Sequence, residues 1–260
     1  EMAFYELSDD MDVMEKMIPF IRVMEDGDIE KLDGMVDAFL LEENPDEQYG
    51  LADLLTEYGF IQEAIKTLEH LNFLFPEEDQ LKIDLAQLFL ELNKEDDALE
   101  MLSNIEKNSE SYPQALLTLA DYYQMIGLYE VAEHKIEEAI ALLPGEPLLQ
   151  YAKGELLFET GRYLEAARLM EDLLASKSEL QGVDLSLKIA EIYSAGAAYE
   201  EAIPYYTEAL QKEAAPEVLF QAGYAFFQVR QYETAAKHLN HLLEIDPDFF
   251  SGYMLLAETY

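Results

Sequence analysis

Four histidines are the side chains whose spacing most directly raises the question of chemistry. His238 and His241 stand three residues apart, which puts both imidazoles on one face of a helix. Such a pair binds a transition metal when a carboxylate joins it. The alternative is that histidines at this spacing face solvent or pack between repeats, which also suits the isolated His70 and His134. We favour this alternative and expect no metal and no cofactor.

Carboxylates are too numerous to be assigned as catalytic pairs. The 260-residue chain has 55 aspartates and glutamates against 16 lysines and arginines, a formal net charge of −39. In such a chain, neighbouring acids form solvated surface by default. No phosphate-binding glycine loop, zinc-protease motif or nucleophile-elbow motif occurs in the sequence. We expect a protein that is not an enzyme and has no catalytic residues.

The charge restricts the partners. Nucleic acid binds proteins through lysines and arginines that displace counterions, and anionic membranes attract the same residues, so we expect neither as a partner. A basic protein or peptide fits this charge, although a high charge also keeps a long repeat protein soluble. The chain has no cysteine and no apolar run of the ~18 residues that a membrane span needs. We therefore expect a cytoplasmic location.

The elements that position these residues follow from an internal repeat. An alanine recurs at spacings of 34, 34, 34, 36 and 33 residues, namely Ala64, Ala98, Ala132, Ala166, Ala202 and Ala235. Twelve residues before each lies another small residue, namely Ala52, Ala86, Ala120, Gly154, Ala190 and Gly223, and Ala257 continues the series. A large apolar residue follows three positions later, from Leu55 to Tyr260. Periods of this length indicate a stack of identical supersecondary elements.

Each repeat reads as two antiparallel helices. The small residues let the two helices approach closely, and the large residues form an apolar stripe of helical period. Glycines mark the turn between the helices at Gly59, Gly127 and Gly161. Prolines end the second helix at Pro76, Pro144 and Pro247. The sequence therefore predicts an all-α fold of stacked helix pairs.

These residues resemble the tetratricopeptide repeat (TPR) motif, and their order resembles a cytoplasmic TPR family of Gram-positive bacteria. The resemblance implies a right-handed α-solenoid. It divides the chain into six repeats, at residues 45–78, 79–112, 113–146, 147–182, 183–215 and 216–249. Residues 250–260 match the first helix of a further repeat. The fourth position often holds tryptophan in the family but never does here, and two extra residues fit around Gln181–Gly182.

The two ends depart from the motif. Residues 1–44 are interpreted as an acidic arm followed by a degenerate helical hairpin that caps the first repeat. A methionine-rich face is predicted there, formed by Met11, Met14, Met17, Ile18, Ile21 and Met24. That face could instead be an adaptable partner surface, and Pro19 is expected to kink or end its helix. Because 250–260 lacks a covering helix, we expect further repeats in the natural protein, or end-to-end self-association through this helix.

The resemblance also implies where a partner binds, since TPR proteins use a concave groove lined by their first helices. Carried onto this chain, the candidate groove residues are Tyr49, Asp53, Ile83, Gln87, Leu117, Asp121, Gln124, Tyr151, Glu155, Phe158, Leu187, Glu191, Phe220, Tyr224, Phe227 and Gln228. None of them is basic, whereas TPR domains that capture a chaperone's carboxylates use groove lysines and arginines. Capture of a C-terminal carboxylate is therefore not expected.

The leading interpretation is a non-catalytic scaffold whose acidic, aromatic-lined groove binds a protein segment with apolar anchors and basic flanks. The aromatic residues between Tyr151 and Phe227 are the expected anchors. A structural alternative is that these side chains pack against neighbouring repeats. Two other functions stay open: a TPR regulator that senses a signalling peptide, and a self-associating structural protein.

Overall fold

The computed structural model describes residues 11–42, 44–177, 180 and 182–260, and all regular structure in these ranges is helical. The helices are α1 Met11–Asp26, α2 Ile29–Glu42, α3 Pro45–Glu57, α4 Ile61–Leu74, α5 Asp79–Glu91, α6 Glu95–Ser103, α7 Tyr112–Met125, α8 Tyr129–Leu142, α9 Pro147–Glu159, α10 Tyr163–Ala175, α11 Leu185–Ala195, α12 Tyr199–Lys212, α13 Pro216–Gln228, α14 Tyr232–Ile245 and α15 Phe250–Thr259. No helix among the described residues has the length and apolar content to cross a bilayer. The predicted all-α fold is confirmed.

The chain divides into two compact units, with the boundary between Tyr122 and Tyr123 inside α7. In the N-terminal unit, α3 packs on α4, α4 on α5, and α5 on α6. In the C-terminal unit each helix from α8 to α15 packs on the next one along the chain. This neighbour-to-neighbour packing is the pattern that the 34-residue period predicts.

First helices begin where the sequence supplies a start signal. Pro45, Pro147 and Pro216 occupy the first turns of α3, α9 and α13, where the missing N–H costs nothing. Asn44 caps α3 by accepting a hydrogen bond from the Glu47 N–H at 2.9 Å. Asp184 caps α11 by accepting from two backbone N–H groups. The second half of the chain therefore starts its first helices by two different devices, a proline in the first turn or an aspartate cap.

The turn inside each repeat has the same backbone form regardless of its residue. Gly59, Gly127 and Gly161 have φ between +76° and +80°, as predicted for turn glycines. The equivalent positions in the other repeats hold Asn93, Ala197 and Arg230, with φ of 57°, 57° and 62°. Packing of the two helices therefore imposes a left-handed residue even where the sequence has no glycine.

The small-residue seam is buried as predicted. All six alanines of the 34-residue series have no exposed surface. Twelve residues earlier, a β-carbon on Gly154 would overlap the terminal methyl group of Met170, so a larger residue there would require that flexible side chain to move. Ala257, which continues the series, is exposed.

Part of the predicted methionine-rich face of α1 is buried. Met17 and Met24 are buried and Ile21 packs against the same core, whereas Ile18 is exposed. Phe20 and Val23 are buried beside them, and Phe20 packs edge-on against Phe39 of α2 at 5.3 Å. The side chains of Met11 and Met14, residues 1–10 and Gln181 lie outside the described residues.

The hairpin lies against the first repeat. Helix α2 packs on α4, and the Lys66 ammonium of α4 pairs with Asp33 and Asp37 of α2. Pro19 lies within α1, which continues to Asp26, so this proline does not end the helix. These contacts support the interpretation of the hairpin as a cap of the first repeat.

Candidate partner-binding face

The candidate residues of the C-terminal unit gather on its first helices, α9, α11 and α13. We call this surface the C-terminal face and define it by Tyr151, Glu155, Phe158, Leu187, Glu191, Phe220, Tyr224 and Phe227. All eight are partly accessible to solvent. They present a mixture of aromatic rings and carboxylates, the combination predicted from the sequence.

Lys188 occupies the part of this face that lies between α9 and α11. The Lys188 ammonium lies 2.8 and 2.9 Å from the two carboxylate oxygens of Glu155 and 5.1 Å from the ring centre of Phe158. Partial burial lowers the pKa of Lys188, but the hydrogen bond to Glu155 and the attraction of nearby negative charges together outweigh it, so the pKa is raised. The cation is thus held by a carboxylate on one side and an aromatic ring on the other.

An open pocket of about 410 Å³ lies one repeat further along the same face. It is lined by Phe158, Glu191, Ser194, Ala195, Tyr199, Tyr206, Phe220, Gln221 and Tyr224. Four of these nine residues belong to the predicted set, and they come from α9, α11 and α13. The structure therefore brings predicted residues of three repeats to one concavity.

The pocket wall is built from paired side chains. Tyr199 and Tyr224 meet edge to face, with ring centres 5.8 Å apart. The hydroxyls of Ser194 and Tyr206 are hydrogen bonded at 3.0 Å. Burial raises the pKa of Tyr199 and of Tyr206, so both phenols are neutral at physiological pH. The aromatic wall is therefore uncharged, and Glu191 is the one carboxylate among the lining residues.

The remaining predicted residues of this unit lie at the margins of the face. Phe220 also packs on Phe249 at 5.3 Å, and Phe227 packs on Tyr232 at 5.6 Å. Gln124 donates a hydrogen bond to Glu159 at 3.1 Å, and Gln228 is exposed. Packing thus holds the two phenylalanines in fixed orientations while leaving part of each ring accessible.

The N-terminal unit has a different, more acidic arrangement on its first helices. The Tyr49 hydroxyl donates to Asp84 at 2.8 Å, and Gln80 donates to the other oxygen of the same carboxylate. Desolvation, followed by repulsion from Asp84, raises the pKa of Asp53 to about 6. Gln87 is exposed. Asp121 also reaches solvent.

Two predicted groove residues of this unit do not reach the surface. Ile83 is fully buried and Leu117 is 6% exposed, and Ile83 belongs to the apolar core of the unit. Neither side chain offers a contact surface, because the core surrounds the fifth position of these two repeats. At the equivalent position of other repeats, Tyr49, Tyr151 and Phe220 are partly exposed.

Comparison with known proteins identifies the repeat. A family model described as tetratricopeptide repeat matches residues 83–147 and 187–249, and a model described as YpiA-like, tetratricopeptide repeats matches residues 124–178. The chain is a TPR protein. It is 34% identical over 240 residues to the TPR repeat-containing protein YpiA of Bacillus subtilis, an alignment that covers 92% of this chain and 57% of that protein. The chain therefore spans less than two thirds of this relative's length.

Solved structures share the fold at low sequence identity. The APC/C hetero-tetramer Cut9–Hcn1 matches with a TM-score of 0.62 and 16% identity, over 92% of this chain and 48% of that one. YrrB, described as a TPR protein with an unusual peptide-binding site, matches with a TM-score of 0.56 and 17% identity, over 72% and 96%. These likenesses establish an α-solenoid fold. TPR solenoids generally serve as non-catalytic surfaces for protein interaction.

Sequence reasoning missed the sixth position of the TPR repeat. Asp84, Lys188 and Gln221 occupy it in the second, fifth and sixth repeats, and each contacts or lines the surfaces described above. The signal was available, because this position follows the fifth directly and its long side chains reach the preceding repeat. Tyr199 and Tyr206 were also missed, since they come from second helix α12.

His238 packs against an aromatic ring. It stacks on Phe226 with ring centres 5.2 Å apart, and burial lowers its pKa. Across the described ranges, no three His, Asp or Glu side chains are grouped to hold a metal ion. The stacking joins the two helices of one repeat, which differs from the predicted packing between repeats, and His241 is exposed.

Proposed function

We propose that this TPR chain is a non-catalytic scaffold that binds a protein segment along the C-terminal face. The observation that carries the proposal is the open pocket, where Phe158, Phe220 and Tyr224 meet the carboxylate of Glu191. Aromatic side chains held by neighbouring packing are the usual anchors of protein interfaces, because they bury large areas at low entropic cost.

The chemistry of the face favours a partner with basic character. Its carboxylates belong to a chain of net charge −39, so lysines and arginines are drawn towards it. Lys188, a basic residue on this face, is already paired with Glu155. We therefore expect neither carboxylate ends nor phosphate backbones to bind here.

The N-terminal face is proposed as a second, weaker contact surface. Tyr49, Asp53, Gln87 and Asp121 have accessible surface there, and Ile83 and Leu117 are left out because they are buried. Its accessible residues include one aromatic ring, so we expect it to orient the basic flanks of a partner by charge. The cytoplasmic location remains a prediction.

A selection from a random peptide library displayed on phage tests the proposal. Binders selected on the parent chain are re-measured on a variant carrying Tyr151→Ala, Tyr224→Ala and Phe227→Ala. A matched control carries Tyr129→Ala, Leu142→Ala and Ile245→Ala, which removes three exposed apolar side chains elsewhere in the same unit. We expect at least tenfold weaker binding to the first variant and unchanged binding to the control.

Equal binding to both variants would refute the C-terminal face as the binding surface. Circular dichroism must show the same helicity and unfolding temperature for the variants and the parent. A second candidate function, self-association, is motivated by the exposed Phe250, Tyr253 and Met254 of α15. Sedimentation of the same samples at two concentrations decides it, since association raises the mass with concentration.

A further inference from the structure

We infer that the open pocket takes the basic side chain of an arginine or lysine on the bound segment, held between aromatic rings and the Glu191 carboxylate. The inference rests on the proposed function and sharpens it, because it assigns the pocket to a cation instead of an apolar anchor. It predicts that the partner segment places a positive charge at this point of the C-terminal face.

The chain contains its own precedent for this arrangement. One repeat earlier, Lys188 lies 5.1 Å from the ring centre of Phe158 and pairs with Glu155 at 2.8 Å. An aromatic face and a carboxylate together bind an ammonium or guanidinium group more strongly than either alone. The same face thus already holds one cation between these two kinds of group.

The repeat register shows why the next site is open. Glu155 and Glu191 both occupy the ninth position of their repeats, and the residue that faces them from the following repeat is at the sixth position. That residue is Lys188 for Glu155, but Gln221 for Glu191. A neutral amide therefore stands where the preceding pair of repeats supplies the cation.

Glu191 lies within the influence of a lysine but is not paired with one. Its charge contributes to raising the pKa of Lys188. Within the described part of the chain, no lysine or arginine nitrogen approaches its carboxylate to the 4.0 Å of an ion pair. Glu191 is half-buried, and it also raises the pKa of the Tyr206 phenol below it. The residues that line the pocket include this one carboxylate and no lysine or arginine.

An apolar occupant would be disfavoured at this site. It would cover the half-buried carboxylate of Glu191 and remove its water without supplying a hydrogen bond in return. A guanidinium or ammonium group replaces that water with a charged donor and places its methylene stem against Phe158, Phe220 and Tyr224. The geometry consequently selects a side chain with an apolar stem and a positive end.

Methyl NMR of Ala195, which lines the pocket, tests the inference without knowledge of the natural partner. The chain is labelled at its alanine methyl groups, and Ala195→Ser assigns the signal. The probes are acetyl-arginine amide and acetyl-lysine amide, with acetyl-citrulline amide and acetyl-norleucine amide as neutral analogues of similar length. We expect saturable shifts from the two cations, with dissociation constants in the millimolar range, and at least fivefold weaker binding of the neutral probes.

Two charge-matched variants locate the effect. Glu191→Gln removes the carboxylate of the pocket with little change of shape, and Glu208→Gln removes an exposed carboxylate of α12 outside it. We expect arginine binding to weaken about fivefold in the first variant and to be unchanged in the second. Equal weakening in both would show that only the overall charge acts, which would overturn the inference.

The outcomes separate this inference from the proposed function. Equal shifts with cationic and neutral probes mean that the pocket accepts side chains without selecting charge, so the inference falls and the binding face stands. No shift of Ala195 with either cation also overturns the inference. The proposed function is judged independently by the peptide selection, because that library contains segments of every composition.

Discussion

The two compact units place different charges at the same two repeat positions. In the N-terminal unit, Asp53 at the ninth position faces Asp84 at the sixth position of the next repeat, so two carboxylates oppose each other. In the C-terminal unit, Glu155 at the ninth position faces Lys188 at the sixth and forms an ion pair. The helical framework is constant, and two positions per repeat set the chemistry of its surface.

The next pair of repeats in the C-terminal unit is intermediate between these cases. Here the ninth position holds Glu191 and the sixth position of the next repeat holds the neutral Gln221, and both line an aromatic-walled pocket. Tyr206 also distinguishes this repeat, because it stands at the position that holds Leu68 and Leu102 in the N-terminal unit and Ile136, Met170 and Leu239 in the C-terminal unit. Two residue differences between repeats thus accompany a pocket within the same helical framework.

The largest expected effect concerns the floor of the pocket. Tyr206 is 1% exposed, so Tyr206→Ala should lower the free energy of unfolding by about 3–5 kcal/mol, through lost burial and the cavity left behind. Urea denaturation followed by circular dichroism measures this change.

Tyr206→Leu introduces the residue that the N-terminal unit has at this repeat position. It should cost less than Tyr206→Ala because most of the apolar volume remains, while Ser194 loses its hydroxyl partner. A loss as large as that of the alanine variant would mean that the phenol's hydrogen bond, and not its volume, maintains this part of the fold.

A smaller effect is expected from the opposed carboxylates of the N-terminal unit. The pKa of Asp53 is raised from 3.8 to about 6, so ionising this group at neutral pH opposes folding. That penalty is fully present above pH 6 and disappears as the pH falls through about 6 towards 4. Because Asp53 is also exposed, solvent screening limits the effect to roughly 1 kcal/mol or less.

Asp53→Asn should therefore be more stable than the parent at pH 7, and the difference should shrink as the pH approaches about 4. Urea denaturation at several pH values measures it. Glu57→Gln, an exposed acid of the same helix, is the control for the general loss of negative charge. If both variants gain the same stability at every pH, the pairing of Asp53 with Asp84 has no energetic consequence.

The helix pairs were predictable because their determinants are local and repeated. The buried alanines, the left-handed glycine turns and the prolines that follow the second helices each mark a fixed place in the repeat by residue type and spacing. The non-glycine turns at Asn93, Ala197 and Arg230 were not predictable, since packing of the finished hairpin imposes their conformation. The burial of Phe20 in α1 was not predictable for a related reason, because it depends on Phe39 of another helix.

The surface was only partly predictable, because exposure depends on neighbouring repeats. Ile83 and Tyr151 occupy the same motif position, yet the first is buried and the second is accessible. Lys188 contacts Glu155, which lies 33 residues earlier in the chain, and the TPR motif does not specify such a contact. A family motif gives the helix on which a residue lies, whereas the side chains of the adjacent repeat decide what that residue meets.

The most direct test of the proposed cation site is to fill the pocket with a lysine of the chain itself. Gln221→Lys places a lysine opposite Glu191 in the register that Lys188 has opposite Glu155, and Gln221→Met is the neutral control. Binding of acetyl-arginine amide is then followed through the Ala195 methyl signal. We expect acetyl-arginine amide to bind at least fivefold more weakly to the lysine variant and almost unchanged to the methionine variant. Unchanged binding to Gln221→Lys would contradict it, because a site that an internal cation cannot fill is not a cation site.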